Sequence, residues 1–220
     1  MTYPLDLNIM KNQLENMRCE YNSPEMDEID MAANPIVQLE LWLDDAISDQ
    51  KILTPNAATL STVSADGTPS SRIILVKEVS ALGLVFYTSY DSKKSKDIIS
   101  NPHVSLLFYF EPHHRQIKIN GTVQKISTES SKRYFYSRPH ASQAAAAASP
   151  QSEPIDKLGL QSRFRTYQSM STVPFPTHWG GFIVTPTRFE FWQGQPNRLH
   201  DCVSYLPQQS GEWQKIRLAP

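Results

Sequence analysis

Hydrophobic and polar positions follow two different periods along this chain, and the change of period divides it. Leu7, Met10, Leu14 and Met17 recur at helical spacing, so residues 5–18 read as a short amphipathic helix on an otherwise polar arm. Ser23-Pro24-Glu25-Met26-Asp27-Glu28 is acidic and turn-prone, the signature of a linker. A second helix begins at Asn34, a good N-cap, with Pro35 at its first position and Glu40 early enough to complement the dipole. Ile36, Leu39, Leu43, Ala46 and Ile47 make its expected buried stripe.

From Ala57 the period becomes two. Runs of strand character occupy 57–64, 70–79, 84–88, 103–110 and 115–126, and Asp66-Gly67 and Leu82-Gly83 break the first three into hairpins. One helical insert, Ser92 to Ser100, stops at Asn101-Pro102. Helical patterns return at 129–137, 141–149 and 154–170, followed by strands near 181–185, 188–193, 199–206 and 213–218. Strands grouped in this way predict a mainly β, antiparallel barrel with flanking helices rather than a Rossmann sheet. No G-x-G-x-x-G opens a helix, which removes the main fingerprint of nicotinamide binding. The expected organisation is a helical arm and linker over residues 1–30 and a single domain over residues 31–220.

Composition narrows the partners. A chain of 220 residues with a formal net charge of −1 can bury a sizeable core, but lacks the basic excess that a nucleic acid or membrane surface calls for. Met1-Thr2-Tyr3-Pro4-Leu5-Asp6 shows no basic stretch leading into an apolar core, and no apolar run approaches the ~18 residues of a membrane span, so a soluble, cytoplasmic protein is expected. Cys19 and Cys202 are far apart and without metal-ligand spacing, so they read as two reduced thiols, with no metal site.

Three segments carry candidate chemistry. In Glu190-Phe191-Trp192-Gln193-Gly194 and Arg198-Leu199-His200-Asp201, a period-two strand would set Arg198 and His200 on one face, opposite the indole of the preceding strand, as a site for a flat, anionic ring. Arg72 and Lys77 bracket the apolar run Ile73-Ile74-Leu75-Val76 and would face opposite ways on a straight strand. Either that strand is bulged or twisted, or the two cations serve different sites. Ser92-Lys93-Lys94 opens a helix directly after Phe86-Tyr87-Thr88, and the free N–H groups of a helix start favour an anion. Taken alone, two lysines on a helix are more often a solvated face.

These segments, together with Arg115-Gln116, Tyr134-Phe135-Tyr136-Ser137-Arg138-Pro139, Gln151-Ser152, Trp179-Gly180-Gly181 and Arg217-Leu218-Ala219-Pro220, occur in one order from about Arg18 to Pro220. In that order they resemble the pyridoxamine 5'-phosphate oxidases. The resemblance implies an FMN-binding split β-barrel, and a homodimer whose flavin sites are shared between subunits. It implies that Arg72, Ile73, Ile74, Leu75, Val76, Lys77, Tyr87, Thr88, Lys93, Lys94, Gln116, Gln151, Ser152, Trp192 and Cys202 lie at cofactor positions. Arg18, Tyr21, Lys77, Tyr134, Arg138, Ser142, Arg198 and His200 fall at substrate positions, the last two as catalytic residues beside the carbon that is oxidised, where both would orient the ring and His200 could assist proton removal. Tyr134 and Arg138 would converge on one phosphate as i,i+4 neighbours if their helix continues.

The implied reaction oxidises pyridoxine or pyridoxamine 5'-phosphate to pyridoxal 5'-phosphate, with oxygen reduced to hydrogen peroxide. Few acid–base groups are needed, since the flavin carries the redox chemistry. Four departures stand out: Lys93, His140 and Cys202 where relatives usually have arginine, and the small side chains of Ala144 to Ala148. They leave room for a non-catalytic binder of FMN or pyridoxal phosphate, and the fold itself for a flavin reductase with another substrate.

Overall fold

The computed structural model describes residues 14–17 and 19–220, so most of the expected N-terminal helix, and Arg18 with it, lies outside the described residues. After helical residues 14–16, the first element described in full is helix α1, Pro35–Ser48, and its start is as expected: the Asn34 side chain accepts from the Ile36 N–H at 2.8 Å. The buried stripe differs. Trp42 takes the place expected of Ile47, which is exposed, because the indole packs edge-on against Phe191 at 5.2 Å between centroids.

Eight strands follow: β1 Ala57–Val63, β2 Pro69–Ser80, β3 Gly83–Ser89, β4 His103–Phe110, β5 Arg115–Lys125, β6 Trp179–Gln193, β7 Asp201–Pro207 and β8 Trp213–Arg217. They hydrogen-bond in the order β3-β2-β1-β4-β5-β6-β7-β8, all antiparallel, and β6 also pairs with β3. The six strands β1–β6 therefore close into a barrel, from which β7 and β8 run on as an extension. Alternation does the filling: Leu60, Leu84, Phe86, Leu106, Phe108, Ile117, Ile119, Phe182 and Phe189 all point inward and are buried.

Strand β6 corrects the sequence reading, which broke it into two at Pro186-Thr187. It is a single strand of 15 residues. Its first half pairs with β3 as far as Val184 and its last part pairs with β7 from Phe189, so around Pro186 that edge has no partner and the missing N–H costs no ladder bond. On the other side a bulge between Asn120 and Gly121 absorbs the extra Thr187.

The helices α2 Lys93–Ser100, α3 Thr128–Ser137, α4 His140–Ala148 and α5 Lys157–Gln168 pack outside the barrel. Phe135, Ala144, Ala147, Val173 and Trp179 form a second, smaller core there. Among the described residues no helix is long and apolar enough to cross a membrane.

The acidic linker does not hang free. The Met26 N–H donates to Asp201 Oδ2 at 2.9 Å, Arg217 bridges Glu28 and Asp201 at 2.7 Å each, and Lys215 donates to the carbonyls of Glu28 and, at 2.8 Å, Met31. The first segment is thus laced to β7 and β8.

Candidate active site

A cavity of about 410 Å³ opens where β2, β3, α3, α4 and the loop after α4 meet the start of β6. Three aromatic rings lie nearly parallel in its wall: Tyr87 and Tyr134 stack at 3.8 Å and 17°, and Tyr87 and Trp179 at 5.5 Å and 14°. The Arg138 guanidinium lies 4.9 Å over the Trp179 ring. Ile73, Ile74, Leu75, Lys77, Thr88, Ala145, Ala146 and Gln151 complete much of the lining. Two of the small alanines of α4, Ala145 and Ala146, thus face into the cavity.

One end of this cavity is built to hold negative charge. Lys94 is buried, and its ammonium donates to Thr88 Oγ1 and Ser92 Oγ at 3.1 Å and to Gln151 Oε1 at 3.2 Å, each a neutral partner. Burial, and secondarily the positive charge of Arg72, pull its pKa down to about 8. Gln151 also accepts from the Thr88 hydroxyl at 2.9 Å, and the Ser152 hydroxyl accepts from the Lys93 N–H at 3.2 Å. The loop after α4 therefore sits on the start of α2. Lys93 turns its ammonium onto Asp97, one helical turn along, at 3.1 Å.

At Arg138 a second unpaired charge appears. Its Nη1 is buried without a hydrogen-bond partner, and burial lowers the guanidinium below the usual arginine range. The convergence with Tyr134 is real but not helical. Helix α3 ends at Ser137, and Arg138 is extended (φ −76°, ψ 152°) because a residue before proline avoids the helical region. Ser142, in the first turns of α4, is not part of the cavity wall. His140 is placed to hold α5's far end, its Nε2 lying 2.9 Å from the Met170 carbonyl.

Arg72 and Lys77 do serve different places. Arg72 shares its face of β2 with buried Ile74 and Val76, and its guanidinium donates to Leu60 O, Thr62 Oγ1 and the Ser70 carbonyl and hydroxyl at 2.8–3.1 Å. Lys77 falls at the register shift between Val76 and Glu78 and stands on the cavity wall with Ile73 and Leu75. The Val76 side chain is core, and its backbone groups are both taken by Asn56, at 2.9 and 2.8 Å.

Trp192, Arg198 and His200 lie elsewhere, at the far end of β6. The premise of one strand face fails: β7 starts only at Asp201, and Arg198 is exposed in a turn over Pro196–Arg198, where Asn197 (φ 57°) and Arg198 (φ 62°) are both left-handed. Gly194-Gln195-Pro196-Asn197 is a turn-forming string that outweighed the alternation. The imidazole and indole do meet, with centroids 4.7 Å apart. Tyr21 covers both, 5.8 Å from Trp192 and 5.5 Å from His200, and comes so near Gly194 that a Cβ there would lie 2.7 Å from the Tyr21 ring. The cross-strand row Tyr109, Gln116, Trp192, Cys202 runs under this cluster. Burial raises the Cys202 thiol's pKa, keeping it protonated and unreactive.

One chain thus brings together Lys77, Tyr87, Thr88, Lys94, Tyr134, Arg138 and Gln151 as one group, and Tyr21, Gln116, Trp192, His200 and Cys202 as another. The two groups sit at opposite ends of β6, a strand that spans roughly 45 Å when extended. Trp179 and Asp97 were not singled out as site residues from sequence. The signal for Trp179 was the following Gly180-Gly181, which lets the Tyr90 and Ile126 side chains approach the strand.

A closed antiparallel barrel extended by a sheet, with an aromatic-walled cavity that carries Lys94 and Arg138, defines a split-barrel protein. Comparison with known proteins places it further. Residues 43–163 match the family model described as pyridoxamine 5'-phosphate oxidase, and residues 179–220 the one described as pyridoxine 5'-phosphate oxidase C-terminal dimerisation region. The pyridoxine/pyridoxamine 5'-phosphate oxidase of Bordetella petrii is 44% identical over 209 residues, covering 94% of this chain and 99% of that protein. That of Salinibacter ruber is 42% identical over 215 residues, covering 95% and 100%. The solved structure of PhzG from Burkholderia lata 383, in complex with tetrahydrophenazine-1-carboxylic acid, superposes with a TM-score of 0.85 at 25% identity, covering 92% of this chain and 100% of that one. The chain belongs to the pyridoxamine 5'-phosphate oxidase family, a family of oxidoreductases.

Proposed function

We propose that this chain is an FMN-dependent oxidase of pyridoxine and pyridoxamine 5'-phosphates, working as a homodimer in which each active site takes residues from both copies. The observation that carries the reading is the pair of cations on one cavity that have no acidic partner among the described residues. Lys94, surrounded by neutral groups, and Arg138, with Nη1 orphaned, lie on an aromatic-walled cavity of about 410 Å³, so two phosphorylated ligands would have separate cations to end on. The donor set fits FMN: Lys94, Arg72, Thr88, Gln151 and Ser152 would hold its phosphate. Lys77, Tyr134 and Arg138 would hold that of the substrate.

When bound, the flavin supplies the redox step, taking two electrons from the substrate's exocyclic carbon and passing them to oxygen. The chain's own task is to orient. Gln116, Trp192, Arg198, His200 and Cys202 would reach the ring edges from the second copy. The Gln195 N–H donates to His200 Nδ1 at 3.0 Å, so the neutral imidazole carries its proton on Nε2 and offers a donor to the substrate. This assigns His200 to positioning rather than to proton removal. Tyr21 would close the site from above and shed water.

Purified protein saturated with FMN should lose its yellow colour when pyridoxine 5'-phosphate is added without oxygen, and regain it in air with release of peroxide. A flavin-loaded protein that neither bleaches with nor binds a B6 phosphate would end the proposal. Bleaching only with unphosphorylated ring compounds would favour a different substrate, such as the tricyclic acid held by the solved PhzG.

A further inference from the structure

Among the described residues, Asp97 is the one acidic side chain that pairs with the two cations next to the Lys94 end of the cavity, Lys93 and Arg72, and it is 4% exposed. Its Oδ2 accepts from the Thr62 hydroxyl at 2.7 Å, Lys93 Nζ donates to both carboxylate oxygens at 3.1 Å, and Arg72 Nη2 lies 3.9 Å away. Arg72 is further engaged by Leu60, Thr62 and Ser70, so its fork is filled from within the chain. Of the three cations gathered here, two are already held by a single carboxylate, and Lys94 alone faces only neutral groups. An incoming phosphate dianion meets that carboxylate's repulsion and must compete for Lys93 and Arg72.

We propose that Asp97 is a positioning residue that sets how firmly this chain grips the flavin phosphate, by drawing Lys93 and Arg72 back from the anion. The proposal rests on the FMN reading above. It also gives the lysine at position 93 a reason. A carboxylate one turn along engages its ammonium as an i,i+4 partner, so the cation is ordered by the helix and only in part by ligand.

The test titrates flavin-free protein with FMN and, in parallel, with riboflavin, which has the same ring and no phosphate. Asp97→Asn keeps the shape and an acceptor for Thr62 while removing the charge. It should tighten FMN about tenfold and steepen its salt dependence, with riboflavin unmoved. Adding Lys93→Gln to that variant restores the original net charge and should return FMN affinity to within about threefold of the parent. Asp97→Ser, smaller and still able to accept from Thr62, takes over if melting curves show the amide variant unfolded. An Asp97 variant that binds FMN no more tightly than the parent, or that shifts FMN and riboflavin alike, overturns the proposal and leaves the FMN reading standing. A parent protein that does not distinguish FMN from riboflavin overturns both.

Discussion

Arg138 presents a buried nitrogen that no group among the described residues satisfies, set over the face of Trp179. A phosphate oxygen would satisfy it, and a charge-assisted bond of this kind is worth about 1.5–3 kcal/mol. Arg138→Met should therefore raise the KM for a phosphorylated substrate by about 10- to 100-fold with little change in kcat, as steady-state rates would show. Lys94 makes a pH prediction. Its ammonium titrates at about 8 in the flavin-free protein. A bound phosphate favours the charged form and raises that value, so binding takes up a proton above pH ~8. Flavin affinity should be level below that point and fall as pH rises through it, by at most about tenfold per unit; titrations from neutral into mildly alkaline buffer would show it. At Cys202, placing a cation beside Trp192, the arginine that the family resemblance implies there, is expected to tighten FMN by about one to two decades, read from the dissociation constant of Cys202→Arg. No tightening would mean that Lys118 or Arg188, which already influence the thiol, fills that role.

Elements formed where local chemistry and tertiary demand agreed. Asn34, the hairpin at Asp66-Gly67 and the stop at Asn101-Pro102 were all legible, because each acts through bonds within a few residues. Strand β6 was not, since the tolerance of Pro186 depends on β3 and β7 leaving that edge free, which only the assembled barrel decides. Similarly, Arg198 and His200 were found as residues, but their strand was misread, because the turn chemistry just before them prevailed over period-two spacing. The bulge that accommodates Thr187 needs Gly121: a Cβ there would lie 2.4 Å from the Thr185 carbonyl oxygen, a backbone atom that cannot step aside alone. Gly121→Ala should cost more than about 2 kcal/mol, lowering Tm by several degrees, and circular dichroism melts would register it.

At the scale of the whole molecule, the site is divided. Sequence motifs pointed to most of the residues proposed for it, yet not that they fall into two groups at opposite ends of one strand; linear order carries no such distance. If two copies complete each other's sites, two variants defective in different groups should complement. Arg138→Ala and His200→Ala, each slowed alone when substrate is kept well below the parental KM, should under that condition recover about a quarter of parental activity when unfolded together and refolded as a mixture, because half the dimers then hold one intact site. Recovery no greater than the sum of the separate activities would argue for sites complete within single chains.

Strand β6 carries an indole near each end, Trp179 in the cavity and Trp192 beneath Tyr21. Its side chains alternate between the interior and the outside, so losing or gaining one residue within it would swing one indole inward while the other kept its place. The strand works as a fixed gauge: its residues are free to vary over generations far more readily than their number, and natural length variation should collect in the loops instead.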